Sequence, residues 1–401
     1  MNNGFFTDNR WRLIDVLGDE LVVLAGWTSM QWHGDTAVPF RQESNFWYLT
    51  GIEHADWRCI IDGEQAKSWL IAPEVDASHQ LFDGSLSFDD AKNISGVDEV
   101  LDQKSGQRLL KNLAKKYSAV YILGELPYAE HVDFVLNPAT DNLREELGQV
   151  FDEMKDCRAT LAKLRAIKQP EEIAIMKHAA SLSVEAFGIA KNKLSSCKYE
   201  YEIEAELAYH FRRHNATHAF EPIVASGKNA CTLHYIHNSS TLQPGGMVLI
   251  DAGANLGGYP ADITRTYAVG AVSERQAAVH LAVQAAEQKI IELIRPGFSI
   301  KNYLESVDDI MKEALLSLGL MKNSKDEKSY RRYFPHAISH GLGLDVHESL
   351  GGYKELRPGM MLTVEPGIYI PEEKIGVRIE NDILVTENGH RNITGSLSTD
   401  L

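Results

Sequence analysis

Cysteine is scarce: four thiols in 401 residues (Cys59, Cys157, Cys197 and Cys231), scattered and without a C-x-x-C pair. That excludes a disulfide framework and a zinc knuckle, and reduced thiols make a cytoplasmic protein the expectation. Positive charge is short too: 40 Lys+Arg stand against 56 Asp+Glu, a formal net charge of −16. The balance argues against nucleic acid or an anionic membrane surface as partner. A cationic ligand or metal fits it, and so does a solvated acidic surface. Long apolar runs are missing, since nothing approaches the roughly 18 consecutive apolar residues of a membrane span. The start, MNNGFFTDNRWR, lacks the apolar core of a signal peptide. What is present, 44% hydrophobic and 24% charged residues, suits a globular chain long enough for two domains.

Residues 1 to about 155 alternate strand-like runs (ELVVLAG, SWLIAP, AVYILGE) with helical stretches such as GQRLLKNLAKKY. That alternation predicts an α/β domain. Within it GDTAVPFRQESNFWYLTG (34–51), dense in aromatic and charged residues, reads as a buried strand with a polar lip. A boundary is expected near RAIKQPEE (165–172), dividing the chain into domains 1–160 and 161–401. Pro170 at a first helical position, with Glu171 and Glu172 after it, marks a helix start. Ile173, Met176, Ala180, Val184 and Phe187 then keep a helical rhythm. A second long helix begins at Ser273, where Gln276 completes a capping box, and runs to Pro296-Gly297.

An internal echo is more telling. QPGGMVLIDAGA (243–254) and RPGMMLTVEPGI (357–368) align at a constant offset of 114, with Asp251 falling on Glu365. Each is a Pro-Gly turn, an apolar strand, and an acid where the strand meets glycine. If the first hairpin turns at Leu256-Gly257, Asp251 and Asp262 face each other directly across it. If the second turns at Glu372-Glu373, Glu365 faces Glu380 in the same way. Directly opposed like charges are destabilising in a sheet and worse in a core. Two such pairs on apolar strands call for a cation between them.

HAISHGLGLDVHE (336–348) offers nitrogen ligands. His336 and His340 stand four apart, but Ala337 occupies the place where a zinc-protease motif needs glutamate. Gly341 and Gly343 disfavour a helix there, so the run reads as an extended segment leaving a loop. One imidazole could complete a metal shell while another meets substrate, and spacing does not separate the roles. His234, with His237 nearby, lies just before the first acid hairpin. Four carboxylates and one or two imidazoles suit a pair of Mn²⁺-like or Co²⁺-like ions better than a structural zinc site.

These residues carry a resemblance. The stretch from about 165 to 401 resembles the pita-bread metallopeptidases, the family of methionine aminopeptidase, Xaa-Pro aminopeptidase and prolidase. Asp251, Asp262, His340 in SHGLGLDVHE, Glu365 in TVEPGIYI and Glu380 in VRIEND match the family's five ligands with none missing. FRQESNFWYLTG (40–51) and LRAIKQPEE resemble the N-terminal domain and linker of aminopeptidase P and its relatives. The implied fold is a creatinase/aminopeptidase P-type α/β domain followed by a pita-bread α+β metallopeptidase domain.

The implied cofactor is two divalent ions, Mn²⁺ first, with Co²⁺ or Zn²⁺ as alternatives. By the same resemblance Asp262 and Glu380 would bridge them, and a bridging water or hydroxide would be the nucleophile. Glu365 would handle its proton, and His234 and His347 would hold the scissile carbonyl and the tetrahedral intermediate. His336 would line a proline pocket, Tyr369 and Arg378 would take outer positions, and Asp35 would join from the first domain over the cleft. The implied partner is a peptide with proline second, cleaved before that proline by a homodimeric or homotetrameric enzyme. The short segment ESLGGYKELRPGMMLTV, with Lys354 and Arg357 its only bases, favours an aminopeptidase over a dipeptidase. A metal-free binder or a creatinase-like hydrolase would lack part of the acid set.

Overall fold

The computed structural model describes residues 1–126 and 134–401. The chain divides into two units, Met1–Leu164 and Arg165–Leu401.

In the first unit, strands β1 (Leu21–Ala25), β2 (Gln31–His33), β3 (Thr36–Ala37), β4 (Arg58–Asp62), β5 (Lys67–Ile71), β6 (Glu99–Leu101), β7 (Ala119–Ile122) and β8 (Glu153–Asp156) alternate with helices. All but the small β2–β3 hairpin form one mixed sheet in the order β6-β5-β4-β1-β7-β8. Leu21, Val23, Ile60 and Trp69 on its face pack against Leu110 and Leu147 from helices Gln103–Leu113 and Ala139–Leu147. Within the segment read as a buried strand (34–51), only Thr36–Ala37 is a strand, and an exposed one, while Ser44–Thr50 is a helix. The Glu43 carboxylate accepts from the Phe46 N–H at 2.7 Å, an N-cap that starts a helix where aromatic content alone suggested a strand. Phe46, Tyr48 and Leu49 are buried by it.

The second unit opens on helix Pro170–Lys193, with Pro170 at its first turn and the Glu172 side chain closing a capping box. Among the described residues this is the one helix long and apolar enough to cross a membrane. Its Ala186, Phe187 and Ala190 pack instead on Leu207 and Phe211 of helix Glu200–Arg213, as a core helix does. The capped helix at Ser273 ends at Ile291, five residues before the expected Pro296 stop.

Strands β9 (Thr217–His218), β10 (Ile223–Ser226), β11 (Gly246–Ala252), β12 (Ala254–Leu256), β13 (Tyr259–Pro260) and β14 (Ile263–Val269) carry the first acid hairpin. Strands β15 (Met361–Val364), β16 (Gly367–Ile370), β17 (Ile375–Arg378), β18 (Asn381–Thr386) and β19 (Gly389–Asn392) carry the second. The echo is visible in the backbone: Gly245 and Gly359, 114 residues apart, precede β11 and β15 with φ of 82° and 87°.

Candidate metal centre and active site

The first hairpin turns one residue later than the sequence suggested. Leu256 pairs with Tyr259 around Gly257-Gly258, whose φ values of 56° and 89° suit a tight two-residue turn. The register therefore moves by two, and Asp251 lies opposite Thr264 rather than Asp262. A shift of two preserves the face, because side chains alternate with period two. The aspartates become diagonal neighbours on one surface instead of a direct pair. The second hairpin keeps the expected register: Val364 pairs with Asn381 and Gly367 with Arg378. Glu365 and Glu380 sit between those two ladders. The Glu380 N–H donates to the Thr264 carbonyl at 3.0 Å, which joins the hairpins at their acids.

The histidine segment reaches this surface as a third strand-like run. The N–H groups of Glu365 and Thr363 donate to the carbonyls of Ile338 and His340, and that of Leu342 donates to Met361. His340 is thereby held above the acids, with Nε2 3.6 Å from Asp262 and 3.5 Å from Glu365. Its Nδ1 lies 3.0 Å from the Gly341 carbonyl, which can only accept, so Nδ1 carries the proton. Burial holds the imidazole down to about 4, which leaves a neutral ring whose Nε2 lone pair faces the carboxylates.

A second chain of contacts runs through His336, Tyr369 and Arg378. His336 Nδ1 donates to the Ala337 carbonyl at 2.7 Å, so its Nε2 accepts from the Tyr369 hydroxyl at 2.9 Å. Arg378 donates to Tyr369 at 2.8 Å, to Thr264 at 3.1 Å and to one oxygen of Asp251. Burial, and then the charge of Arg378, hold His336 down to about 4, so it stays neutral.

The acids are the unstable part of this geometry. Asp251, Asp262 and Glu380 are 8%, 4% and 2% exposed. Burial first, and Glu380 next, push Asp262 and Glu365 well above the usual carboxylate range. Glu380 is pushed up to about 8 by burial and by Asp251. Asp251 Oδ1 is buried without a hydrogen-bond partner. Ligand atoms of Asp262, His340 and Glu380 all lie within 4.8 Å of one another. Desolvated carboxylates in excess, one orphaned oxygen and one free imidazole lone pair fit hard or borderline divalent cations.

Nine of the residues singled out in the sequence line one cavity of about 510 Å³: the five candidate acid and imidazole ligands, His234, His336, His347 and Arg378. Phe220, Ile223, Leu233, Ile236 and Val346 supply its apolar walls. His347 stands edge-on to His340, with ring centroids 4.5 Å apart. Tyr369 acts on the cavity through His336 and Arg378. Asp35 belongs to the first unit, exposed in the β2–β3 turn.

Three contributors escaped the sequence reading. Thr264 donates to Glu380 at 2.7 Å. Arg265 donates to the Glu380 carbonyl at 2.6 Å from a fully buried position. Asp382, 0% exposed, accepts from the Asp262 N–H at 3.2 Å, and burial raises its carboxyl too. The only available signal was their polarity within apolar strands, TRT in β14 and END at β18.

The sequence model of metallopeptidase family M24 matches residues 174–387, and that of the aminopeptidase P N-terminal domain matches 6–121. The chain belongs to metallopeptidase family M24. Among the relatives of this M24 peptidase, the Xaa-Pro aminopeptidase of Escherichia coli is 36% identical over 390 residues, covering 90% of this chain and 88% of that protein. The Xaa-Pro dipeptidase of Pyrococcus furiosus is 31% identical over 356 residues, covering 87% and 90%. The structure of aminopeptidase P from E. coli with the inhibitor Pro-Leu matches with a TM-score of 0.88 at 31% identity. That match covers 100% of this chain and 96% of the other.

Proposed function

We propose that this M24 peptidase is a Xaa-Pro aminopeptidase, removing an N-terminal residue that precedes proline. Asp251, Asp262, His340, Glu365 and Glu380 hold two divalent cations, Mn²⁺ first, with Co²⁺ or Zn²⁺ as alternatives. The observation that carries this is the convergence of all five on one apolar-walled cavity, with Asp251 Oδ1 buried without a hydrogen-bond partner and His340 Nε2 facing Asp262 and Glu365 at 3.6 and 3.5 Å. When bound, the pair of cations supplies Lewis acidity, acidifying the attacking water and offsetting the charge that develops on the carbonyl oxygen.

The chain's own groups do the rest. Glu365 takes the proton of the attacking water and returns it to the leaving proline nitrogen. His234 and His347, both open to the cavity, donate hydrogen bonds to the carbonyl oxygen as it becomes tetrahedral. His336, fixed by Ala337 and Tyr369, presents a neutral ring as a wall for proline. A cytoplasmic homodimer or homotetramer is part of the same reading.

The preference for longer peptides rests on charge. A Xaa-Pro dipeptide ends in a carboxylate directly after proline and needs a cation there. Lys354 and Arg357 are exposed and do not line the cavity. Arg378, the only Lys or Arg among the described cavity residues, is occupied by Asp251, Tyr369 and Thr264. Assayed with Mn²⁺, Xaa-Pro-Yaa tripeptides are therefore cleaved before proline, with kcat/KM above that of the matching Xaa-Pro dipeptides. Cleavage confined to dipeptides would make the protein a dipeptidase, like the P. furiosus relative.

A further inference from the structure

We infer that the ion cluster of Arg165, Lys168 and Glu348 is a clamp that positions His347 over the active site, so that Glu348 is a positioning residue for the reaction. This rests on the peptidase reading for its kinetic consequence alone.

HGLGLDVHE ends in a glutamate that plays no part in the site above. Glu348 is 8% exposed, does not line the cavity, and has its carboxylate against Arg165 and Lys168 at the start of the second unit. Arg165 donates to Glu348 Oε1 twice, from Nε at 3.0 Å and from Nη2 at 2.6 Å. Lys168 donates to Oε2. Both bases are nearly buried, at 4% and 5% exposure, and both come from LRAIKQ, the linker stretch to which the site gave no role. Arg165 also holds Asp345 at 2.6 Å, inside the same loop.

The loop needs such an anchor. Its entrance is tied by backbone bonds, from the Leu342 N–H to Met361 and from the Glu348 N–H to the Gly341 carbonyl. The two glycines explain themselves here. A Cβ on Gly341 would lie 2.6 Å from the Glu348 carbonyl oxygen, and one on Gly343 would land on the Glu348 carboxylate. The motif therefore spends its small residues on bringing the chain against this side chain. His347, the preceding residue, is exposed and meets the protein through its edge-on contact with His340. Its aim is set by where Glu348 is held. The same stretch also touches the first hairpin: the Glu172 carboxylate accepts from the Tyr259 hydroxyl at 2.9 Å.

A misplacement of about 1 Å at a reacting group costs roughly 100-fold in rate, whereas ground-state binding elsewhere in the cavity is untouched. The test uses the full-length metal-loaded protein carrying Glu348→Gln, with Glu348→Asp as the charge-preserving control. Hydrogen exchange is expected to rise by roughly tenfold over residues 341–349 while residues 246–269 and 361–386 keep native protection. On a Xaa-Pro-Yaa peptide, kcat is expected to fall roughly 10–100-fold with KM within about twofold, and Glu348→Asp to recover part of it. If Glu348→Gln does not fold, Lys168→Met, which keeps the Arg165 contacts, shows the same pattern at smaller size. Native exchange or native kcat in a folded variant overturns the clamp, and so does exchange that rises equally over both acid hairpins. If the native protein cleaves no Xaa-Pro peptide, the peptidase reading fails, and the exchange pattern still decides the clamp.

Discussion

Glu380→Gln ends peptide hydrolysis while the chain stays folded. Glu380 sits where the two acid hairpins meet, and its Oε2 accepts from Thr264 at 2.7 Å. Glutamine keeps the side-chain shape and an oxygen for Thr264, so the junction survives. What disappears is one carboxylate that would hold the cations. Loss of an outer partner of a metal ligand already costs roughly 10–100-fold, so loss of such a carboxylate is expected to exceed about 100-fold in kcat/KM. Asp262→Asn is expected to behave alike. Steady-state kinetics beside circular dichroism and metal analysis check this, and native turnover in either folded variant would remove these acids from the catalytic centre.

The second large effect is a stability that falls as pH rises in the metal-free protein. Glu380 titrates near 8 in the folded chain against an ordinary 4.5. A carboxyl raised on folding contributes stability that is complete below its unfolded value and lost as pH rises through the folded one. Asp262 and Glu365 are shifted in the same direction. His336 and His340 oppose them at lower pH: each is held down to about 4 from 6.5, so each favours the fold above 6.5 and loses that contribution as pH falls towards 4. Above about pH 6.5 these imidazole contributions, to which His210, His218, His280 and His347 add in the same direction, approach completion, and the carboxyls set the trend up to pH 8. Unfolding free energy should then drop by roughly 2 kcal/mol for Glu380, at about 1.4 kcal/mol per pH unit. Saturating Mn²⁺ should reverse the trend, because cations bind the deprotonated ligands more tightly as pH rises. Chemical denaturation of chelated and loaded protein across this window measures both slopes. A chelated protein that is more stable at pH 8 than at 6.5 would contradict the assignment of these shifts.

How much of this was legible beforehand differs between the hairpins. The Glu365–Glu380 register could be read because β15 to β18 carry apolar strands up to a single polar turn at Pro371–Lys374. The Asp251–Asp262 register could not, because Asn255 to Gly258 offers several turn placements and only the backbone selects Gly257-Gly258. The error was harmless to the site, since a slip of two leaves both aspartates on one face. The helix at Ser44 was missed because a side-chain cap from Glu43 outweighed the aromatic strand preference of the segment. The part of Glu348 was invisible because its partners lie some 180 residues upstream, and a linear motif does not show which distant cations meet it. Asp382 reads in sequence as one more acid; only its burial against the Asp262 N–H gives it a place.

The most direct test of the account is to titrate Mn²⁺ into chelated full-length protein by calorimetry while following hydrolysis of a Xaa-Pro-Yaa peptide. The five-ligand centre predicts two ions bound per chain, with full cleavage before proline reached only when both are present. Full activity in the absence of added metal, or an intact fold that binds no divalent ion, would contradict it.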